Sequence, residues 1–271
     1  MPELAEVEYY RKLWDVGVGT RVLRVALHAD KRPLRGLDPK AVITALTGST
    51  LLGSEAQAKQ MLFCFGRRGK PTAWLGIHLG MTGHLRVEPS SFTPEKHDHL
   101  VFWQAGRALV FTDPRQFGRI RFDEGGSPPL WWTTLPPAVT SPEFTVDRLR
   151  AFVARRKKST IKGALLMQEF FPGVGNWMAD EILWRARLNP QRHSGNLTPA
   201  ESKTLWHESR AVCRIALETV GVDFKDPPAG WFFHVRWSPK GSCPRCRQPI
   251  KTATVAGRTT RWCPKCQPEN R

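Results

Sequence analysis

Apolar positions follow two regimes along the chain. In the first 125 or so residues they come in short runs: Leu23, Val25 and Leu27 alternate, and residues 60–65, 74–79, 100–103, 109–111 and 120–122 are brief apolar stretches parted by Gly or polar turns. No helix-length pattern intervenes, so the spacing predicts an antiparallel sandwich or barrel rather than a parallel sheet. The N-terminal segment is the exception. Leu4, Val7, Tyr10 and Trp14 recur every three or four residues and mark one face of a helix that packs on the strands. Beyond residue 142 the period turns helical, over 146–155, 160–170 and 177–188, the last stopped before Pro190. A further helix opens at Thr198-Pro199-Ala200-Glu201, with Thr198 as N-cap and Glu201 reaching back, and ends at Gly221.

Between these regimes, residues 124–142 are rich in Gly and Pro, break both periods and read as an interdomain connection. At 271 residues the chain exceeds one ordinary domain of roughly 100–200. The fold class is therefore α+β multidomain, with boundaries at 1–125, a linker at 126–144, a helical domain at 145–225 and a C-terminal module at 226–271.

Charge narrows the partner. Lys and Arg number 41 against 24 Asp and Glu, a net charge of +17, which points to a polyanion. With 11 Trp and 14 Phe the chain has the apolar surface of a globular protein and not of a basic tail. No run of about 18 apolar residues is present to span a bilayer, and the opening Met-Pro-Glu-Leu-Ala-Glu is acidic where a signal peptide is basic. A reducing cytoplasm is expected, since four of six cysteines are clustered like metal ligands and Cys64 and Cys213 are isolated.

Those four are Cys243, Cys246, Cys263 and Cys266, two Cys-x2-Cys pairs separated by sixteen residues. This spacing predicts a tetrahedral thiolate site for one structural Zn2+, with a β-hairpin between the knuckles. Arg258 and Arg261 on that hairpin, flanked by Arg245, Arg247, Lys251 and Lys265, could place cations on phosphates. Upstream, Pro172-Gly173-Val174-Gly175-Asn176 forms a turn before a helix. Asn176 is a favoured N-cap, and the free N–H groups of that helix can hold a phosphate. Arg155-Arg156-Lys157-Lys158 and Lys162 add charge near the turn. Read singly, the turn is a helix-turn-helix corner and the charge run a solvated face; with +17 the combination favours duplex binding.

Pro2 adds a chemical option. Removal of Met1 would expose a secondary amine whose unperturbed pKa, if like other α-amino groups, is about 7.7–8.0. Such an amine can attack the anomeric carbon of a sugar and form an iminium ion, with Glu3 beside it moving protons. Met-Pro-Glu-Leu-Ala-Glu-Val-Glu, His78-Leu-Gly-Met-Thr-Gly83, Asp113-Pro-Arg-Gln-Phe-Gly118, Gly173-Val-Gly-Asn176 and the terminal four-Cys finger occur in that order. This set closely resembles the formamidopyrimidine-DNA glycosylase / endonuclease VIII family of base-excision repair enzymes, over nearly the whole chain.

The resemblance implies an N-terminal β-sandwich carrying the active-site helix, a helix-two-turn-helix domain and a zinc finger, with DNA in the cleft between domains. It implies Pro2 as nucleophile, Glu3 as acid/base, Glu6 in support, and Lys59 as a contact to phosphate near the lesion. His78, Asn176 and Arg258 match the other phosphate clamps, and Lys162 is counted with the DNA contacts. Met81, Arg115 and Phe117 match the residues that fill the hole left by an everted nucleotide. Taken one by one, Lys59 would be a strand-edge lysine, His78 a core histidine, Met81 and Phe117 core packing, and Arg115 a surface ion pair. The implied activity is a bifunctional glycosylase and abasic-site lyase, a cytoplasmic, nucleoid-associated bacterial monomer acting on double-stranded DNA that contains oxidised bases or abasic sites. The alternative is a non-catalytic, zinc-dependent binder of damaged or bent DNA. Two departures stand out: Ala5 replaces the commoner second Pro, and the segment between Val220 and Cys243 is shorter than in the bacterial 8-oxoguanine branch. That shortening, with 176–183 resembling the plant and fungal branch, counts against strong 8-oxoguanine excision and favours formamidopyrimidines, hydantoins and abasic sites.

Overall fold

The computed structural model describes residues 2–28, 31–238 and 241–269. They form two compact units: Pro2 with Glu6–Leu135, and Glu3–Ala5 with the chain from Pro136 on. The first helix, α1 (Leu4–Leu13), therefore begins in one unit and continues in the other.

Unit 1 is an antiparallel sandwich. Strands β1 (Arg24–Leu27), β2 (Thr50–Gln57), β3 (Gln60–Arg67), β4 (Lys70–His78), β5 (His84–Pro89), β6 (Asp98–Gln104), β7 (Arg107–Thr112) and β8 (Arg119–Glu124) make two four-stranded sheets, ordered β1-β6-β7-β5 and β2-β3-β4-β8. Alternation sends Met61, Phe63 and Phe65 from one sheet and Leu100, Phe102, Leu109 and Phe111 from the other into a shared core. Trp14 closes this core, its ring centroid 4.9 Å from that of Phe63 and 5.7 Å from that of Phe102.

Two strands and helix α2 (Pro39–Leu46) escape the sequence reading. Strand β2 is Thr-Leu-Leu-Gly-Ser-Glu-Ala-Gln, with only Leu51 buried, and β5 alternates a single buried Leu85 with polar neighbours. Neither carries an apolar run; cross-strand pairing holds them. Leu23 is 58% exposed because β1 starts after it, so the strand's core contact is Val25.

The 124–142 segment is no free linker. Its helix α3 (Leu130–Thr133) buries Trp132 against Leu62 and Trp74 of unit 1, whereas Val139 and Phe144 join the core of unit 2. The break falls between Leu135 and Pro136.

Unit 2 contains α4 (Val146–Arg155), α5 (Ile161–Leu165), α6 (Asn176–Ala186), α7 (Pro199–Glu218) and the hairpin of β9 (Lys251–Val255) and β10 (Arg258–Trp262). The expected 160–170 helix is a short turn of helix, since Phe170 and Phe171 pack around Phe144 and Phe152 ahead of Pro172. Helix α6 stops where Arg187 turns left-handed, at φ 58°. Helix α7 ends at Glu218 rather than at Gly221, and Val220–Asp223 forms a separate short turn. The Thr198/Glu201 capping box is present. The hairpin turns through Ala256 and Gly257, both at positive φ, the backbone of a tight two-residue connection.

Thr198→Ala removes one half of that box and should destabilise unit 2 by about 1 kcal/mol. Urea unfolding of the variant should show the lower midpoint at unchanged slope.

Candidate active site and metal centre

Glu3 lies against the start of α6. It is buried, and its carboxylate accepts from the N–H groups of Gly175 (2.9 Å), Trp177 (2.9 Å) and Met178 (3.2 Å) at the start of α6. A helix N-terminus offers unpaired donors and a positive dipole end, and here the anion it holds is a side chain. This corrects the expectation that these N–H groups receive a phosphate. Gly175, not Asn176, is the N-cap, and a Cβ on it would lie 2.2 Å from the Glu3 carboxyl carbon, so glycine is required by space. Gly173 is required by conformation, at φ 87°.

Asn176 opens α6 half-buried. Its Nδ2 donates to Thr259 O on β10 at 2.9 Å, leaving one amide hydrogen for another acceptor. Arg258, the neighbouring hairpin residue, is exposed. Lys162 is a second correction. Its side chain is wholly buried, with Nζ 2.5 Å from Asp180 Oδ1 and 2.7 Å from Asn176 O, so it supports the turn from behind and offers no charge to a duplex. Burial pulls its pKa below the ordinary lysine value, against the opposing pull of Asp180 and then Glu3. Asp180 also receives Arg236 at 2.7 Å, so one carboxylate binds two cations out of water.

In unit 1, Lys59 occupies the tight turn between β2 and β3 and is 9% exposed. His78, at the end of β4, is half-buried, and its Nδ1 accepts from Gly80 N at 3.0 Å. Burial, then Lys59 and Arg121, lower its pKa, so the ring is neutral at pH 7 with Nε2 carrying the proton. Met81 and Phe117 are 37% and 41% exposed, unusual for large apolar side chains, and Arg115 is exposed too. The guanidinium of Arg115 stands 4.9 Å from the Phe117 ring. Pro2 and Glu6 are half-buried.

Two residues missed in the sequence organise these loops. Asp113 is fully buried; its Oδ1 accepts from Thr82 Oγ1 at 2.9 Å and its Oδ2 from Gly118 N at 2.6 Å, tying the Met81 loop to the Arg115–Phe117 loop. The Arg32 guanidinium stands 5.4 Å from the Phe117 ring centroid while its backbone N–H reaches Gln116 Oε1 at 3.3 Å. Asp113 lay in the quoted motif but only folding shows its two partners; Arg32 is more than 80 residues away from them. Met1 lies outside the described residues.

The cysteines form a closed site. Cys243 and Cys266 sulfurs are 3.8 Å apart, Cys246 and Cys263 3.4 Å, and all four lie within 4.8 Å of one another. Tetrahedral Zn–S bonds of about 2.3 Å require S···S separations of about 3.8 Å, so the four fit one structural zinc with no ligand position open. Trp184 of α6 donates to Cys243 Sγ at 3.3 Å, and Arg245 lies 3.8 Å over the same indole.

A sandwich unit, a helical unit and a four-cysteine finger are the three parts of a helix-two-turn-helix DNA glycosylase, and the comparisons agree part by part. Residues 1–120 match the formamidopyrimidine-DNA glycosylase N-terminal domain, 135–226 its H2TH domain, and 242–268 the zinc finger found in FPG and IleRS. The chain belongs to the formamidopyrimidine-DNA glycosylase family. It is 36% identical to the formamidopyrimidine-DNA glycosylase of Roseiflexus sp. (strain RS-1) and 34% to that of Xanthomonas euvesicatoria pv. vesicatoria, each over 98% of this chain and 100% of the relative. Its fold is similar to Lactococcus lactis Fpg (MutM) bound to DNA containing N7-benzyl-Fapy-dG (TM-score 0.88, 26% identity, 99% and 100% covered). It is also similar to that protein bound to abasic-site DNA (TM-score 0.86, 26% identity, 98% and 100% covered).

Chelation at neutral pH should release one equivalent of zinc per chain and expose the four finger thiols, counted with a zinc dye and a thiol reagent. A second expectation concerns Glu181 of α6, which burial pushes up to about 8 from the ordinary 4.5. Below pH 4.5 folded and unfolded chains both hold that proton; above it the unfolded chain releases it first, so stability falls as pH rises to about 8 and then levels. Glu181→Gln should remove this decline, on the order of several kcal/mol, and the wild type and variant should converge at acid pH in thermal unfolding.

Proposed function

We propose that the chain excises oxidised bases from duplex DNA and then cleaves the abasic strand, with Pro2 as nucleophile and Glu3 as its acid/base partner. The Pro2 amine attacks C1′, the C1′–N bond to the base breaks, and the base leaves with a proton. Opening of the C1′–O4′ bond gives an iminium, which acidifies C2′, so the 3′ phosphate and then the 5′ phosphate leave by elimination. The observation that carries the reading is the Glu3 carboxylate, buried on three amides of α6 one peptide bond from Pro2, in a chain alike end to end with formamidopyrimidine-DNA glycosylases. A catalytically silent binder is not favoured, since the relatives carry the glycosylase name over their full length.

In this reading Glu6 supports the site, and Lys59, His78, Asn176 and Arg258 grip the phosphates around the lesion. Met81, Arg115 and Phe117 fill the space of the everted nucleotide, where a flexible thioether, a planar cation and an aromatic ring each suit the stack. The exposure of Met81 and Phe117 supports this. Formamidopyrimidines, hydantoins and abasic sites are the proposed substrates, ahead of 8-oxoguanine. In support, the segment after Val220 is held down on α6: Phe233 N donates to Glu181 at 3.0 Å and Arg236 binds Asp180. The chain would work as a monomer on the bacterial nucleoid. Among the described residues no helix is long and apolar enough to cross a membrane.

Borohydride should trap a covalent adduct between the wild type and an abasic duplex, and Pro2→Gly should lose most of it. An intact wild-type chain giving no adduct with any abasic or oxidised duplex would sink the reading.

A further inference from the structure

The outer face of sheet β2-β3-β4-β8 carries, beside His78, two arginines to which no role has been given. The register pairs Gln60 with His78 and His78 with Arg119, so these three side chains stand side by side across three strands at its Lys59 end, about 4.8 Å from strand to strand. One step along β8 on the same face, about 6.8 Å away, is Arg121, paired with Gly76. A Cβ on Gly76 would meet the Trp131 ring at 2.6 Å, so the glycine admits that indole onto the face. Arg121 lies 4.7 Å over it.

Arg119 is exposed, and among the described residues neither it nor Arg121 forms an ion pair; the nearby Asp123 accepts from Trp131 Nε1 at 2.9 Å. Burial and then Arg119 draw the Arg121 pKa below its ordinary value, against the smaller opposing pull of Asp123, and burial, then Lys59 and Arg121, lower that of His78. The place of the group is telling. His78 leads directly into the Met81 loop, and Arg119 follows Phe117-Gly118 directly.

We propose that Arg119 and Arg121 extend the phosphate grip of His78 along the outer edge of β8, giving unit 1 a track for the DNA backbone beyond the lesion itself. The inference rests on the DNA-repair reading above. A phosphate backbone carries charge at every nucleotide, and same-face residues on a strand recur on a comparable scale. Contact with the Trp131 ring restricts the Arg121 guanidinium, which lowers the entropy lost on binding. Gln60 and Arg119 bracket His78, so a neutral imidazole N–H is flanked by two further donors.

The test uses a duplex with a tetrahydrofuran abasic analogue, titrated between about 50 and 200 mM salt with wild type, Arg119→Gln, Arg121→Gln and the double variant. Each arginine that meets a phosphate should lower the slope of log Kd against log salt by about 0.9, so the double variant should lose about 1.8. Arg24→Gln, on the other sheet and stacked on Trp103, should leave the slope unchanged. Borohydride trapping at saturating abasic DNA should stay at the wild-type level in every variant. Arg119→Gln alone decides the matter if loss of Arg121 disturbs Trp131, because Arg119 is exposed and forms no ion pair among the described residues. An unchanged slope in Arg119→Gln and the double variant, beside a wild type that binds and is trapped, overturns the track and leaves the enzyme assignment standing. A wild type that neither binds nor is trapped overturns the assignment on which the track rests.

Discussion

A carboxylate at the mouth of a helix is the interaction on which the site depends. Glu3 occupies the N-terminus of α6, where the backbone N–H groups of Gly175, Trp177 and Met178 have no partner within the helix. Burying a charge is costly unless donors surround it, and three amides and a dipole end supply that compensation. The result fixes the chain one residue after Pro2, so the candidate nucleophile is tethered to a rigid point while its own residue remains half-exposed.

The same helix organises the rest of unit 2. Its first residue, Asn176, holds Thr259 of the hairpin; Asp180, one turn on, takes Lys162 and Arg236; Glu181 takes Phe233 N; Trp184 bonds a zinc-site sulfur. Spacing at one and two turns puts these groups on the side of α6 that faces the finger and the segment leading to it. Gln267 completes the attachment, donating to Leu188 O and accepting from Cys263 N. The metal thus stabilises a hairpin whose position α6 already dictates, and Arg258 is presented by that hairpin instead of by a loop.

Unit 1 solves a different problem, that of holding large apolar side chains out in water. Met81 and Phe117 gain nothing from exposure, and the backbone beneath them is held by Asp113, which bonds both loops at once, while a ring nitrogen of His99 reaches the Asp113 carbonyl at 2.9 Å. Arg32 and Arg115 cover the Phe117 ring. Such an arrangement keeps the side chains ready without letting the loops collapse onto the core.

Much of this was legible in the primary structure. Cys-x2-Cys spacing named the zinc ligands, the Thr198 box marked a helix start, and ordered motifs marked the family, because each depends on residues close together in the chain. Strands β2 and β5 were not legible, since a half-polar strand is stabilised by its neighbours and not by its own pattern. Nor was the fate of Lys162. A lysine after a basic run looks like surface charge until Asp180, eighteen positions on, is seen beside it in the interior. The helix N-terminus likewise looked open to phosphate, and only the return of residue 3 to residue 175 decided which anion sits there. Local chemistry was written in the sequence; the pairing of buried charges was decided by tertiary structure, because it joins groups far apart along the chain whose burial no local pattern records.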